Sequence, residues 1–64
     1  MEINMYAIEL TYNWQGKNKV YHLKIEQIPD GMIEIKESSY SLEYIYSILD
    51  EFGLDYPEKI PFKN

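Results

Sequence analysis

The sequence predicts an α+β fold: a three-stranded antiparallel β-meander followed by one C-terminal helix packed on one face (β-β-β-α), with an extended, proline-containing tail. Three observations carry this. Hydrophobicity alternates with a period of two through the first half of the chain. Turn-forming residues interrupt that alternation twice. After Ser38-Ser39 the period changes to that of a helix.

Residues 5 to 14 form the clearest strand. Tyr6, Ile8, Leu10, Tyr12 and Trp14 face one way, and Met5, Ala7, Glu9, Thr11 and Asn13 the other. Gln15-Gly16-Lys17-Asn18 is turn material, and a second strand follows with Tyr21, Leu23 and Ile25 inward and His22, Lys24 and Glu26 outward. Pairing Trp14 with Lys19 sets Tyr12 opposite Tyr21, Leu10 opposite Leu23 and Ile8 opposite Ile25. One register thus satisfies the turn and both apolar faces.

Ile28-Pro29-Asp30-Gly31-Met32 reads as the second turn, with Pro29 at the first corner of a type I turn and Gly31 in the left-handed position. The third strand, Met32 to Glu37, is expected to turn Ile33 and Ile35 to the core. A turn centred on Asp30 sets Glu26 against Glu34 and Lys24 against Lys36, which is unfavourable. A slip that keeps the same faces pairs Lys24 with Glu34 instead.

In the helix, Leu42, Ile45, Leu49 and Phe52 fall on one stripe, with Tyr46 and Ile48 at its margins. Ser41 or Ser39 is the expected N-cap, and Glu43 stands where the helix dipole favours a negative charge. Gly53 suits the left-handed residue of a Schellman ending, with Leu54 folding back on Leu49. Pro57 and Pro61 keep the tail extended. The chain reads as a single domain over 1–64, with a folded body over 1–54 and the tail over 55–64.

Sixty-four residues leave no room for a second core, and the stability margin of so short a chain is thin. Without Cys there is neither a disulfide staple nor a thiolate metal site. Seven Tyr, two Phe and one Trp must therefore supply much of the buried area. The lack of Cys, of a basic-then-apolar leader and of a long apolar run points to a soluble cytoplasmic protein that does not enter a membrane.

The net charge of −5 and the lack of Arg disfavour direct binding to nucleic acid. From Glu37 to Glu58 the chain carries six carboxylates and no Lys. The chemistry of a catalyst is missing. His22 is the single candidate base and reads as a solvated strand histidine opposite Thr11, while the serines lie in the Ser38–Ser41 linker and at Ser47. Asp50, Glu51 and Asp55 lack the spacing of a cation loop, and no glycine-rich phosphate loop is present. The expectation is a non-enzyme with no cofactor and no metal.

What remains is a protein-binding module. On the helical wheel Tyr40, Tyr44, Ser47 and Glu51 lie opposite the core stripe, flanked by Glu43 and Asp50. Tyr40, Glu43, Tyr44, Asp50 and Glu51 are therefore the expected contact set for a basic protein partner. An A/T-rich codon style, seen in abundant Ile, Lys, Asn and Tyr, suggests a phage or mobile-element product acting in a host cytoplasm. There it would be a small acidic inhibitor of a basic, nucleic-acid-handling host protein. Two alternatives stand beside this: a self-associating structural subunit, and an antitoxin-like regulatory domain. Self-association has its own candidates. Ile3, Met5, Ala7, Ile28 and Met32 gather at one end of the outer sheet face and need cover from Tyr56, Ile60 and Phe62 of the tail or from a second copy. The first strand, long and free of proline, is also an exposed edge; together these features predict a homodimer.

Overall fold

The computed structural model describes residues 5–64, in the order β1 (Met5–Gln15), β2 (Asn18–Ile28), β3 (Met32–Ser39) and α1 (Leu42–Glu51). The strands form one antiparallel meander, β1-β2-β3, and the helix packs on one face of it. The first hairpin has the expected register throughout: Ile8 opposite Ile25, Leu10 opposite Leu23, Tyr12 opposite Tyr21 and Trp14 opposite Lys19. Gly16 takes a φ of 63° at the first central position of the two-residue loop, a conformation a Cβ would disfavour.

The second hairpin departs from expectation. Lys24 stands opposite Lys36 and Ile25 opposite Ile35, but the register then shifts, so that Glu26 faces Ile33 and Gln27 faces Met32. This bulge takes Glu34 out of opposition to Glu26 and relieves that like-charge contact. It also moves Ile33 off the core. Ile33 is 54% exposed, in the outer-face row of Glu26, whereas Ile35 packs against the core as expected. The Ile28–Pro29 peptide is cis, in place of the expected type I corner.

The helix begins and ends as its sequence dictates. Ser41 is the N-cap, its hydroxyl accepting from the Tyr44 N–H at 3.2 Å. At the other end the Leu54 N–H donates to the Leu49 carbonyl (2.9 Å) and the Gly53 N–H to that of Asp50 (3.0 Å). With Gly53 at a φ of 69°, this is a Schellman ending. The core is Leu10, Leu23, Ile25, Ile45, Ile48 and Leu49. Ile48, expected at the margin of the stripe, is fully part of it.

Helix α1 lies over β2 and β3 and leaves β1 to the tail. The Tyr12 N–H donates to the Pro61 carbonyl (3.0 Å), and the Lys63 N–H donates to the Tyr12 carbonyl (2.9 Å). Phe62 thereby forms a parallel bridge with Tyr12, and the two rings meet at 5.6 Å. Ile60 packs on the core, and Tyr56 stacks on Tyr46 at 4.0 Å and 5°. At Tyr12, then, the β1 edge is covered by the chain's own tail, which overturns the expectation of an open edge there.

Leu49→Ala should lower unfolding free energy by about 2–5 kcal/mol, much of the total for so small a domain. Ile33→Thr should stay within about 0.5 kcal/mol of wild type, as for other exposed sites. Urea denaturation of the two variants checks both values, and a large loss at Ile33 would place that side chain in the core.

Candidate functional site

Two surfaces bring chemistry-bearing side chains together. The first is the solvent face of α1. Glu43, Tyr44, Ser47, Asp50 and Glu51 are all exposed, at the three- and four-residue spacing that puts them on one side of the helix. The Ser47 hydroxyl donates to the Tyr44 carbonyl at 2.6 Å. Glu43, in the first turn, is favoured by the helix dipole; Asp50 and Glu51, in the last, oppose it, and no basic residue offsets them there.

The predicted contact set does not stay together. With Ser41 as N-cap, Tyr40 precedes the helix. Its hydroxyl donates to Gln15 Oε1 at 3.0 Å, which ties the end of β3 back to β1. Asp50 is also engaged within the chain. The Tyr56 hydroxyl donates to its carboxylate, 2.8 and 2.9 Å from the two oxygens, while the Tyr56 ring stacks on Tyr46. That hydrogen bond, then desolvation and the Asp50 charge, hold the Tyr56 phenol above the usual tyrosine range. Among the described residues Glu43, Tyr44 and Glu51 have no such tie, and Tyr44 is 47% exposed.

The residues expected to self-associate are also divided. Ile3 lies outside the described residues. Met5 and Ile28 stand directly opposite each other, with Ala7 next along β1, and Met5 is 57% exposed. Met32, shifted by the bulge, pairs with Gln27, and Ile33 takes the outer-face place beside Glu26. Tyr56, Ile60 and Phe62 pack against Tyr46, the core and Tyr12 and so do not reach this patch.

The second surface is the outer face of the sheet, where His22 is not merely solvated. Its Nε2 lies 3.0 Å from Asn13 Oδ1 and its Nδ1 lies 2.7 Å from Ser38 Oγ. An Asn carbonyl oxygen can only accept, so in the neutral ring Nε2 donates to Asn13 and the Ser38 hydroxyl donates to Nδ1. The ring therefore ties all three strands together. This network was within reach of sequence reasoning, because the register that sets Lys24 against Lys36 also sets His22 against Ser38.

Beside this ring the face is concave. Two adjoining hollows, each about 270 Å³, share Glu9, His22, Lys36 and Lys63 in their walls. The Lys63 ammonium lies 3.4 Å from Glu9 and the Lys24 ammonium 3.5 Å from Glu26. Lys36 has no such partner among the described residues. Among those residues no cluster of three or more His, Cys, Asp or Glu side chains is placed to hold a metal ion.

No family model, curated protein or solved structure matches this chain.

The Tyr56–Asp50 contact has a pH signature. Because the folded-state pKa of Tyr56 is raised, the contact adds stability below the ordinary tyrosine pKa and loses it as pH rises through the folded value. In an alkaline titration followed by tyrosinate absorbance, Asp50→Ala should shift the last tyrosine to ionise toward lower pH. An unchanged titration curve would mean that Tyr56 is not held there.

Proposed function

We propose that this protein is a non-catalytic binding module that docks a basic protein partner on the exposed face of α1, with Tyr44 at the centre and Glu43 and Glu51 beside it. The observation that carries this reading is Tyr44 itself. The neighbouring aromatic residues have internal work: Tyr40 bonds Gln15, Tyr46 stacks on Tyr56, and Phe52 meets Tyr6 edge-on at 5.5 Å. Tyr44 has no ring contact and its hydroxyl no hydrogen bond among the described residues, at a position where any polar side chain would keep the helix soluble. A tyrosine suits a contact surface because its ring packs at low entropic cost and its hydroxyl bonds. Glu51 adds a second argument. A carboxylate in the last turn opposes the helix dipole and weakens the helix, so local stability does not account for it.

A face of this kind fits a surface built to receive phosphates, where its carboxylates stand in for the nucleic-acid backbone. The reading is therefore a small acidic inhibitor of a nucleic-acid-handling protein, of phage or mobile-element type, acting in the host cytoplasm. A second reading, self-association, rests on one observation: the tail turns away from Met5, Ile28 and Ile33, and among the described residues none covers that patch.

With a partner recovered from the native host, Tyr44→Ala should weaken binding at least about tenfold, as for a central aromatic contact, with the melting temperature unchanged. Glu43→Gln with Glu51→Gln should mainly slow association and flatten its dependence on salt. Binding that survives all three changes would remove α1 as the site. Sedimentation at high micromolar concentration checks the second reading: a monomer there rejects self-association.

A further inference from the structure

We infer that the first half of β1, from Met5 to Glu9, is a strand-addition edge that pairs antiparallel with the same segment of a second copy, about a two-fold axis at Ala7. The contact is made through backbone groups. It is therefore independent of the α1 reading, and it differs from packing through the outer-face patch of Met5, Ile28 and Ile33.

The docked tail fixes which way the β1 backbone points and how far its own cover reaches. Both backbone groups of Tyr12 bond to the tail, so they face away from β2. Backbone direction alternates along a strand, so the N–H and C=O of Leu10, Ile8 and Tyr6 face the same way. Continuing the parallel ladder by one step would need the N–H of residue 61 to donate to the Leu10 carbonyl. Residue 61 is a proline and has no N–H. The ladder therefore stops at the single bridge beside Tyr12. Leu10 is 5% exposed, whereas Tyr6 and Ile8 are only half-buried. Among the described residues no strand pairs with Tyr6 or Ile8 on that side.

The two edges of the sheet are guarded differently. β3 carries a bulge and the charges of Glu34, Lys36 and Glu37, devices that discourage edge pairing. From Met5 to Leu10, β1 has no bulge, no proline and no lysine, and its one charge, Glu9, is met by Lys63 at 3.4 Å. Helix α1 lies over β2 and β3, which leaves room for a second sheet alongside β1. The segment is also complementary to itself. About an axis at Ala7, Tyr6 of each copy stands opposite Ile8 of the other, an aromatic–β-branched match that sheets favour. Each of these pairs joins outward-facing residues and so exchanges two backbone hydrogen bonds. Ala7 meets its own copy in the closely spaced position, where a small side chain fits, and Met5 meets Glu9. Centring the pairing on Ile8 would call on Leu10, which is already covered, and centring it on Glu9 would oppose two carboxylates.

The test is amide hydrogen exchange by NMR on the ¹⁵N-labelled full chain from low to high micromolar concentration, with sedimentation of the same samples. The Tyr6 and Ile8 amides should gain protection in step with a dimer as concentration rises. The Ala7 and Glu9 amides, which face β2, should stay protected throughout. Ala7→Lys should weaken the dimer at least about tenfold, because two ammonium groups then meet at the axis. Within one chain the same side chain stands opposite Glu26, so the monomer keeps its fold. Mixing Ala7→Lys with Ala7→Glu should restore association as a mixed dimer. Tyr44→Ala and Ile33→Thr should leave the dimer unchanged, which separates this edge from the α1 site and from the outer-face patch. Tyr6 and Ile8 amides that exchange alike at every concentration, an Ala7→Lys variant that dimerises like wild type, or a dimer lost with Ile33→Thr would each overturn the inference.

Discussion

One short helix has to cover a three-stranded sheet, and much of the structure follows from how that shortfall is met. With strands about 4.8 Å apart, the outer two lie roughly 10 Å from each other. A helix is about 10 Å across with its side chains, so it cannot shield all three strands and their flanks. Here α1 settles over β2 and β3, where Ile45, Ile48 and Leu49 meet Leu23 and Ile25. The strip over β1 is left to an element with no regular structure. Tyr12 makes that possible: both its backbone groups bond to the tail, its ring meets Phe62 and Trp14, and the Lys19 ammonium sits 4.2 Å from the ring centre. Two prolines hold the tail extended, which lowers the entropy lost in docking it. A single strand position thereby protects a sheet edge and closes the core.

How much of this was legible depends on how local the deciding forces are. The β1–β2 register was fixed by three agreeing demands: a two-residue turn, alternation on β1 and alternation on β2. The Schellman ending needed only Gly53 and Leu54. The β3 register was not legible, because two like-charge contacts and a bulge compete at similar energies. Relieving Glu26 and Glu34 leaves Lys24 and Lys36 opposed. The tail's position depends on which strands the helix leaves bare, a tertiary fact with no sequence period. Of the expected contact residues, Glu43, Tyr44 and Glu51 kept their exposed place. Tyr40 and Asp50 were drawn into internal hydrogen bonds that the helical wheel cannot display.

The arrangement also decides which side chains can be spared. A two-layer fold buries one sheet face and leaves the other in water, and the composition of that outer face is then weakly constrained by folding. His22, Asn13 and Ser38 use this freedom to tie the strands together by hydrogen bonds where no apolar layer does so. Val20, in the same outer row opposite Asn13, is buried nonetheless. Tyr40, bridging from the end of β3 to Gln15 on β1, spans that part of β2. The outer face is thus a second, mostly polar layer of cohesion.

This separation bears on what the net charge means. Exposed carboxylates of α1 and the ammonium groups of the outer sheet lie on opposite sides of the molecule, more than the helix width of about 10 Å apart. At physiological ionic strength the Debye length is about 8 Å, so an incoming group senses the face it meets and little of the other. A value of −5 therefore describes neither surface. It sums a helix face of exposed carboxylates with a sheet face on which lysines and glutamates are mixed. A low isoelectric point argues against a continuous basic footprint for nucleic acid. The arrangement of charge on each face, and not its total, governs which partners can approach that face.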